Sequence, residues 1–407
     1  MLVLILGIVL FALGICISVA LHEAGHMVAA KSFGMKVRRY FVGFGPKVFS
    51  FRRGETEYGV KAIPLGGFCD IAGMTNLDEV SADEAPRAMW RYKVWKRTVV
   101  MVAGSLTHFV LGFVLLYLLA ISLGLPNVFG TPKVVNISQC VQSAQTPDEF
   151  ANPNCGPDDP SPAKNSELRV GDVVLSVGGV RTETYREVIK EIQQSAGPTE
   201  LTVRRDDKTV PLSIDVATVS HPVSTPNDPN TEYKTVETGA IGASFPNKLT
   251  YGAGAAVGAT VTYTGEMFQR IWEGLIHLPQ KIPEVISAIL GEDVENRPVS
   301  VVGASHIGGQ LAQAGLWSMF LLLLANLNMF VGLFNLLPLL PLDGGHIAVT
   351  WYEKVRDWLR RLRGKEAAGP ADYSKLNAVT AVFIVIGGCF MLLTVIADVV
   401  NPVLNLQ

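Results

Sequence analysis

Two histidines and a glutamate in His22-Glu23-Ala24-Gly25-His26 have the spacing H-E-x-x-H. On a helix, residues i and i+4 project from one face, so both imidazoles can hold one zinc ion and Glu23 can reach a water bound to it. The pentapeptide follows a run, Met1 to Leu21, without a single Asp, Glu, Lys or Arg. Ionisable side chains inside a membrane span are disfavoured by roughly 2.5 to 3.5 kcal/mol each, so those that persist mark a polar pathway or a site. The alternative is a pair of packed histidines with Glu23 neutralised by a Lys or Arg. The apolar run lacks a basic start and a small-residue cleavage pattern, so it reads as a retained helix and not as a signal peptide.

The elements that must position these residues follow from composition. Of 407 residues, 49% are hydrophobic and 17% charged, the balance of a membrane protein with a sizeable soluble part. Four segments, approximately 2–30, 98–124, 316–340 and 376–400, are long and apolar enough to span a bilayer. Between Lys31 and Arg97 lie thirteen Lys/Arg against seven Asp/Glu, whereas Leu125 to Thr250 has eleven against sixteen. The positive-inside rule therefore makes the loop 31–97 cytoplasmic, together with the loop around Arg356, Arg360, Arg361, Arg363 and Lys365. Both termini and the acidic middle region then lie outside. No basic low-complexity tract points to nucleic acid.

This topology fixes depth. His26 precedes the first cytoplasmic charge, Lys31, by five residues, about 7 to 8 Å of helix. The third span ends in Asn335-Leu336-Leu337-Pro338-Leu339-Leu340-Pro341-Leu342-Asp343-Gly344-Gly345, which brings Asp343 to the same cytoplasmic-side depth. Catalytic zinc takes three protein ligands and keeps a position open, and two histidines with a carboxylate form one such set. The prolines break the helix, and irregular backbone at membrane depth is tolerated only beside protein or a water-filled cavity. Taken alone, Asp343 would be an interfacial turn residue.

Between the first two spans, residues 36–70 alternate short β-branched and aromatic runs with turn residues, predicting a hairpin or small sheet that dips into the interface beside the zinc. Its edge could bind an extended substrate by strand addition, or the hairpin could be purely structural. In the acidic region, strands follow Gly171-Asp172, a helical pattern covers Tyr185 to Gln194, and further strands cover Leu201–Arg205 and Val210–Ile214. That order resembles a bacterial PDZ domain, placed at 130–247, with its carboxylate-binding loop unidentified. Cys140 and Cys155 flank a polar insertion in it. In an oxidising compartment they would pair, and otherwise they are two free thiols. Cys16, Cys69 and Cys389 read as packing residues. Apolar residues spaced by three and four in 251–290 predict amphipathic helices on the outer membrane surface or a simple linker.

With these motifs in place, HEAGH, Pro64-Leu65-Gly66-Gly67-Phe68, the PDZ-like insert, and Asn-Leu-Leu-Pro with Leu-Asp-Gly-Gly give a chain that resembles the bacterial site-2 protease family, in particular actinobacterial regulators of intramembrane proteolysis with one PDZ domain. The resemblance implies zinc ligands His22, His26 and Asp343, Glu23 as general base, and Asn335 as a residue that holds the substrate strand or polarises its carbonyl. Two departures stand out. Ala103-Gly104-Ser105-Leu106-Thr107-His108 occupies a place where the family commonly has Ala-Gly-Pro and an Asn three residues on, so His108 is a packed histidine or a substitute polar residue. Pro298-Val299-Ser300 stands where Gly-Pro is frequent.

The expected fold is a polytopic α-helical membrane protein with about four transmembrane helices, a membrane-associated β-hairpin and an inserted extracytoplasmic α+β PDZ domain. Its parts are a first half of the membrane core (1–124, including 36–70), the insert (130–247), a membrane-surface connector (251–315) and a second half (316–407). The expected activity is zinc-dependent hydrolysis of transmembrane segments of single-pass proteins in the cell membrane, on the cytoplasmic side. The resemblance implies anti-sigma factors as substrates, trimmed first by a site-1-type protease, and a PDZ peptide or adaptor ligand. Alternatives are a non-catalytic PDZ membrane scaffold and a membrane zinc protease acting on remnant signal peptides.

Overall fold

The computed structural model describes residues 1–402 apart from 76–77, 128–129, 145–154, 158, 224–233, 247, 293, 295–296, 370 and 372. The chain divides into two compact units, Met1–Leu123 with Tyr251–Gln407, and Gly124–Thr250.

The first unit is built on helix α1 (Leu2–Ser32), an uninterrupted apolar helix long enough to cross a bilayer, which ends where Gly34 takes a left-handed φ of +81°. Strands β1 (Val37–Arg53) and β2 (Thr56–Ile71) pair antiparallel. Their register breaks repeatedly: Tyr40 faces both Cys69 and Tyr58, and Phe41 faces both Phe68 and Gly59, so the two long strands double back into a compact sheet of short segments. Gly43, at φ +90°, makes one of the bends. Phe44, Val48, Phe49, Phe51, Val60 and Ile63 of this sheet are exposed, as expected of a surface that faces lipid.

Helix α2 (Val94–Ile121) packs along α1, and Gly25 lets it approach so closely that a Cβ there would meet the Ala103 carbonyl.

The second unit contains two short ladders, β3 (Leu125–Pro126) with a late partner and β4 (Asn136–Ile137) with another, a helical turn α3 (Pro162–Asn165), and then β5 (Val173–Val177), β6 (Val180–Arg181), α4 (Tyr185–Gln193), β7 (Gly197–Arg205), β8 (Lys208–Val223) and β9 (Lys234–Ala240). The partners are β10 (Ala243–Ser244) for β4 and β11 (Lys248–Leu249) for β3. The five-stranded sheet has the order β6-β5-β7-β8-β9. A capping box starts α4: Thr184 accepts from the Glu187 backbone, and Glu187 accepts from the Thr184 backbone. Val188 and Ile192 of α4 pack with Val174, Leu201 and Ile214 of the sheet. Cys140 and Cys155 form a disulfide; most of the insertion between them lies outside the described residues.

Returning to the first unit, α5 (Ala253–His277) is one helix of 25 residues that buries Ala256, Thr260, Tyr263, Met267 and Ile271. It packs against α2, where Phe268 meets Phe109 edge to face at 5.2 Å between centroids. After α6 (Ile282–Ile289) comes α7 (Val301–Gln313), capped by Ser300 through the Gly303 N–H. Small residues press α7 against α1, with Gly309 and Ala312 at Gly7 and Gly308 at Phe11. Then follow α8 (Trp317–Asn335), α9 (Asp343–Leu362) and α10 (Tyr373–Val400). Four segments, Leu2–Ser32, Val94–Ile121, Trp317–Asn335 and Ala378–Val400, have the length and composition of membrane spans. Asp343 is thus the first residue of a separate helix and not the tail of the third span, and the basic loop around Arg356 is mostly helical.

Candidate active site

His22 and His26 lie on one face of α1, 7% and 6% exposed, with ring centroids 4.7 Å apart and planes nearly perpendicular. Their Nε2 atoms are 3.1 Å apart. The segment from Leu336 to Leu342 turns back from α8, and Gly344 and Gly345 let α9 start against its backbone, since a Cβ at either would collide with Leu336–Leu340. That turn delivers Asp343, whose Oδ2 stands 3.4 Å from both Nε2 atoms. The candidate ligand atoms of the three residues all lie within 4.8 Å of one another.

The hydrogen bonds decide what this cluster requires. His26 donates its Nδ1–H to the Val100 carbonyl of α2 at 2.7 Å, which leaves the Nε2 lone pair facing the cluster. Asp343 Oδ2 is buried and accepts no hydrogen bond. Three acceptor atoms, one of them anionic, converge with at most one proton available among them, an arrangement that a cation resolves. Ligand atoms in tetrahedral zinc sites stand roughly 3.3 Å apart, given metal–ligand distances near 2.0 to 2.1 Å, and the observed 3.1 and 3.4 Å separations suit that ion.

Glu23 sits between the two histidines in sequence, with its Cγ against Gly67 of β2. Gly104 of α2 closes the opposite wall, where a Cβ would overlap His26 Nε2 and His22 Cε1. His108, one turn further along α2, is buried with its ring 5.0 Å from that of His22. Its Nδ1 is 3.0 Å from Asn328 Oδ1 of α8, and Asn328 Nδ2 donates to the Leu324 carbonyl, so Nδ1–H is the donor to Asn328. His108 is therefore a packed, hydrogen-bonded residue beside the cluster. Asn335 ends α8, half-buried, and among the described residues no hydrogen bond links it to Glu23, His22, His26 or Asp343.

Sequence reasoning passed over Gly104, the Val100 carbonyl and Asn328. The run of small residues Ala103-Gly104-Ser105 was a signal for a close approach on α2. A backbone carbonyl leaves no trace in sequence.

Residues 10–376 match the model of Peptidase family M50. The chain is 44% identical over 403 residues to the zinc metalloprotease Rip1 of Mycolicibacterium smegmatis, covering 98% of both chains. It is 45% identical over 401 residues to the zinc metalloprotease Rip1 of Mycobacterium tuberculosis, again 98% of both. More distant similarity, 27% over 387 residues, links 88% of this chain to 89% of the metalloprotease MmpA of Caulobacter vibrioides.

Proposed function

This chain belongs to peptidase family M50, and from that premise we propose that His22, His26 and Asp343 hold its zinc ion while Glu23 serves as general base. The protein is a zinc metalloendopeptidase integral to a membrane. The observation that carries the residue assignment is the convergence of three buried acceptors at 3.1 to 3.4 Å on a face walled by Gly104.

Zinc held there supplies Lewis acidity toward a scissile carbonyl and toward water. Glu23 takes the proton of the attacking water and returns it to the leaving amine nitrogen, a role worth roughly 100- to 10,000-fold in rate. The Val100 carbonyl holds the His26 tautomer, and Gly104 leaves the imidazoles room. A helical substrate backbone is hydrogen-bonded and closed, so it must unwind to be cut. The Gly66–Phe68 edge of β2, beside Glu23, offers a strand partner for the unwound segment, and Asn335 holds that segment from the other side.

The charge bias orients the molecule with β1, β2 and the site toward the cytoplasm and with 124–250 outside. We read 130–247 as a PDZ domain, because one helix packs on a sheet whose β6 edge is open, and assign it the docking or size selection of trimmed ends. Single-pass transmembrane proteins are then the substrate class, with anti-sigma factors shortened by an earlier protease as the specific candidates.

The test is metal content and cleavage of a model transmembrane substrate by purified protein. Glu23→Gln should keep one zinc and lose hydrolysis, and Asp343→Ala should lose the zinc. Biological activity retained by Glu23→Gln would favour the scaffold, and zinc retained by Asp343→Ala would refute the ligand set.

A further inference from the structure

A cavity of about 450 Å³ opens where the start of α2 meets the middle of α9. Its charged wall contains Lys93, Arg97, Lys354 and Arg361 against Glu353 and Asp357. Both carboxylates are already engaged. Glu353 accepts from Arg97 Nη1 at 2.9 Å and from the Ala371 N–H at 2.7 Å, and Asp357 accepts from Arg356 and from the Ala368 N–H. Lys93, Lys354 and Arg361 have no carboxylate partner among the described residues. Arg97 is 93% buried, as its 7% exposure shows, and its Nε is enclosed without an acceptor. Arg97 is matched by Glu353, and Lys354 rests over the Trp351 ring, so the wall keeps a surplus of positive charge at Lys93, Lys354 and Arg361 that an anion would complement.

The surroundings say which source of anion. Trp90, Trp95, Trp351 and Trp358, four of the six tryptophans, are exposed around this end of the molecule. On α9, Trp351, Val355, Trp358 and Leu362 recur at spacings of three and four and are all exposed, while Lys354, Arg356, Arg360 and Arg361 flank them. An exposed apolar stripe edged by Lys and Arg, with indoles at the end of a spanning helix, is the pattern of a helix lying in the headgroup layer. Soluble phosphate has no need of the apolar stripe, whereas a phospholipid fits both halves, its phosphate in the cavity and its chains along Trp351 to Leu362.

We propose that this cavity is a binding site for the headgroup of an anionic glycerophospholipid. The site shares both helices with the metal centre: Arg97 lies one turn before Val100, whose carbonyl holds His26, and α9 begins with Asp343, about 27 Å along the helix from Arg361. The lipid thus bridges the two helices that carry the supports of the zinc cluster.

The experiment uses full-length protein in detergent micelles, titrated with brominated phosphatidylglycerol or brominated phosphatidylcholine while tryptophan fluorescence is read. The wild type should be quenched at lower concentrations of the anionic lipid. A Lys354→Gln, Arg361→Gln double variant, altered only at exposed positions and checked for unchanged zinc content and circular dichroism, should bind it roughly 30-fold more weakly, about five-fold per charge. Lys354→Arg, which keeps the charge, should bind the anionic lipid about as tightly as the wild type. Equal quenching by the two lipids, or an unchanged anionic-lipid response in the double variant, would overturn the proposal. Displacement of the brominated lipid by equimolar glycerol phosphate would assign the cavity to a soluble phosphate and overturn it equally.

Discussion

Gly104 of α2 is pressed against the His26 imidazole of α1 so closely that a single methyl group at its Cα would overlap Nε2. Glycine in a helix interior is unfavourable by about 1 kcal/mol relative to alanine, so a residue chosen for helix stability alone would not be glycine. Gly104→Ala should therefore leave α2 intact while pushing His26 off the line set by the Val100 carbonyl. The expected result is a zinc affinity reduced about 10- to 100-fold with preserved helicity, read by chelator competition and circular dichroism. Unchanged zinc affinity would mean that the imidazoles have room to move.

His108 and Asn328 are each 2% exposed and satisfy one another across α2 and α8. His108→Leu removes one partner and leaves the Asn328 carbonyl oxygen buried without a donor, an asymmetry that destabilises by about 1 kcal/mol in a membrane setting. Adding Asn328→Leu should recover most of that loss, because both polar groups are then gone. Thermal unfolding of the three proteins in one detergent measures it, and a double variant less stable than His108→Leu would show that the pair is not a closed unit.

The chemistry was more legible in the sequence than the scaffold. His22, Glu23 and His26 were visible because helical periodicity places them and lipid makes ionisable residues conspicuous, and Asp343 was reachable by matching depths along the first and third spans, which run in the same direction. The β1–β2 sheet was also readable from its turn residues, although its doubled register was not. Helix α7 escaped because Ser305 to Gln310 is polar and glycine-rich; it is helical through contact with Gly7 and Phe11 of α1, a tertiary effect that no local propensity reports. Helix α9 escaped for a related reason, since its lysines and arginines read as a charged loop until its exposed Trp351, Val355 and Trp358 are seen to share a stripe.

The Cys140–Cys155 disulfide closes a short loop in Gly124–Thr250. A loop of 15 residues restricts the unfolded chain by about 3 kcal/mol in the chain-entropy model. Replacing both cysteines with serine should lower the protection of β7 and β8 in hydrogen exchange on the full chain, with no change in α1 or α2. Protection equal to wild type would show that the ladder of β7 and β8 holds without the bridge.

Asp172 should set the acid limit of the same unit. Its carboxylate is 1% exposed and accepts hydrogen bonds from Arg205 Nε at 2.8 Å, Arg205 Nη2 at 2.6 Å and the Arg169 N–H at 2.8 Å. Burial pushes its pKa up, but the Arg205 guanidinium and the Arg169 N–H outweigh burial and hold it below the ordinary carboxylate range. A folded-state pKa below the unfolded value of about 3.9 contributes stability above that value and loses it as pH falls through the folded pKa. Protection of β5 and β7, corrected for intrinsic exchange rates, should therefore be flat from pH 7 to about 5 and fall below about 4. Asp172→Asn keeps the shape but removes the charge, so it should destabilise the unit by about 2 kcal/mol at pH 7 and flatten the acid-side decline. A wild-type unit that gains protection between pH 5 and 3 would contradict the sign of this linkage.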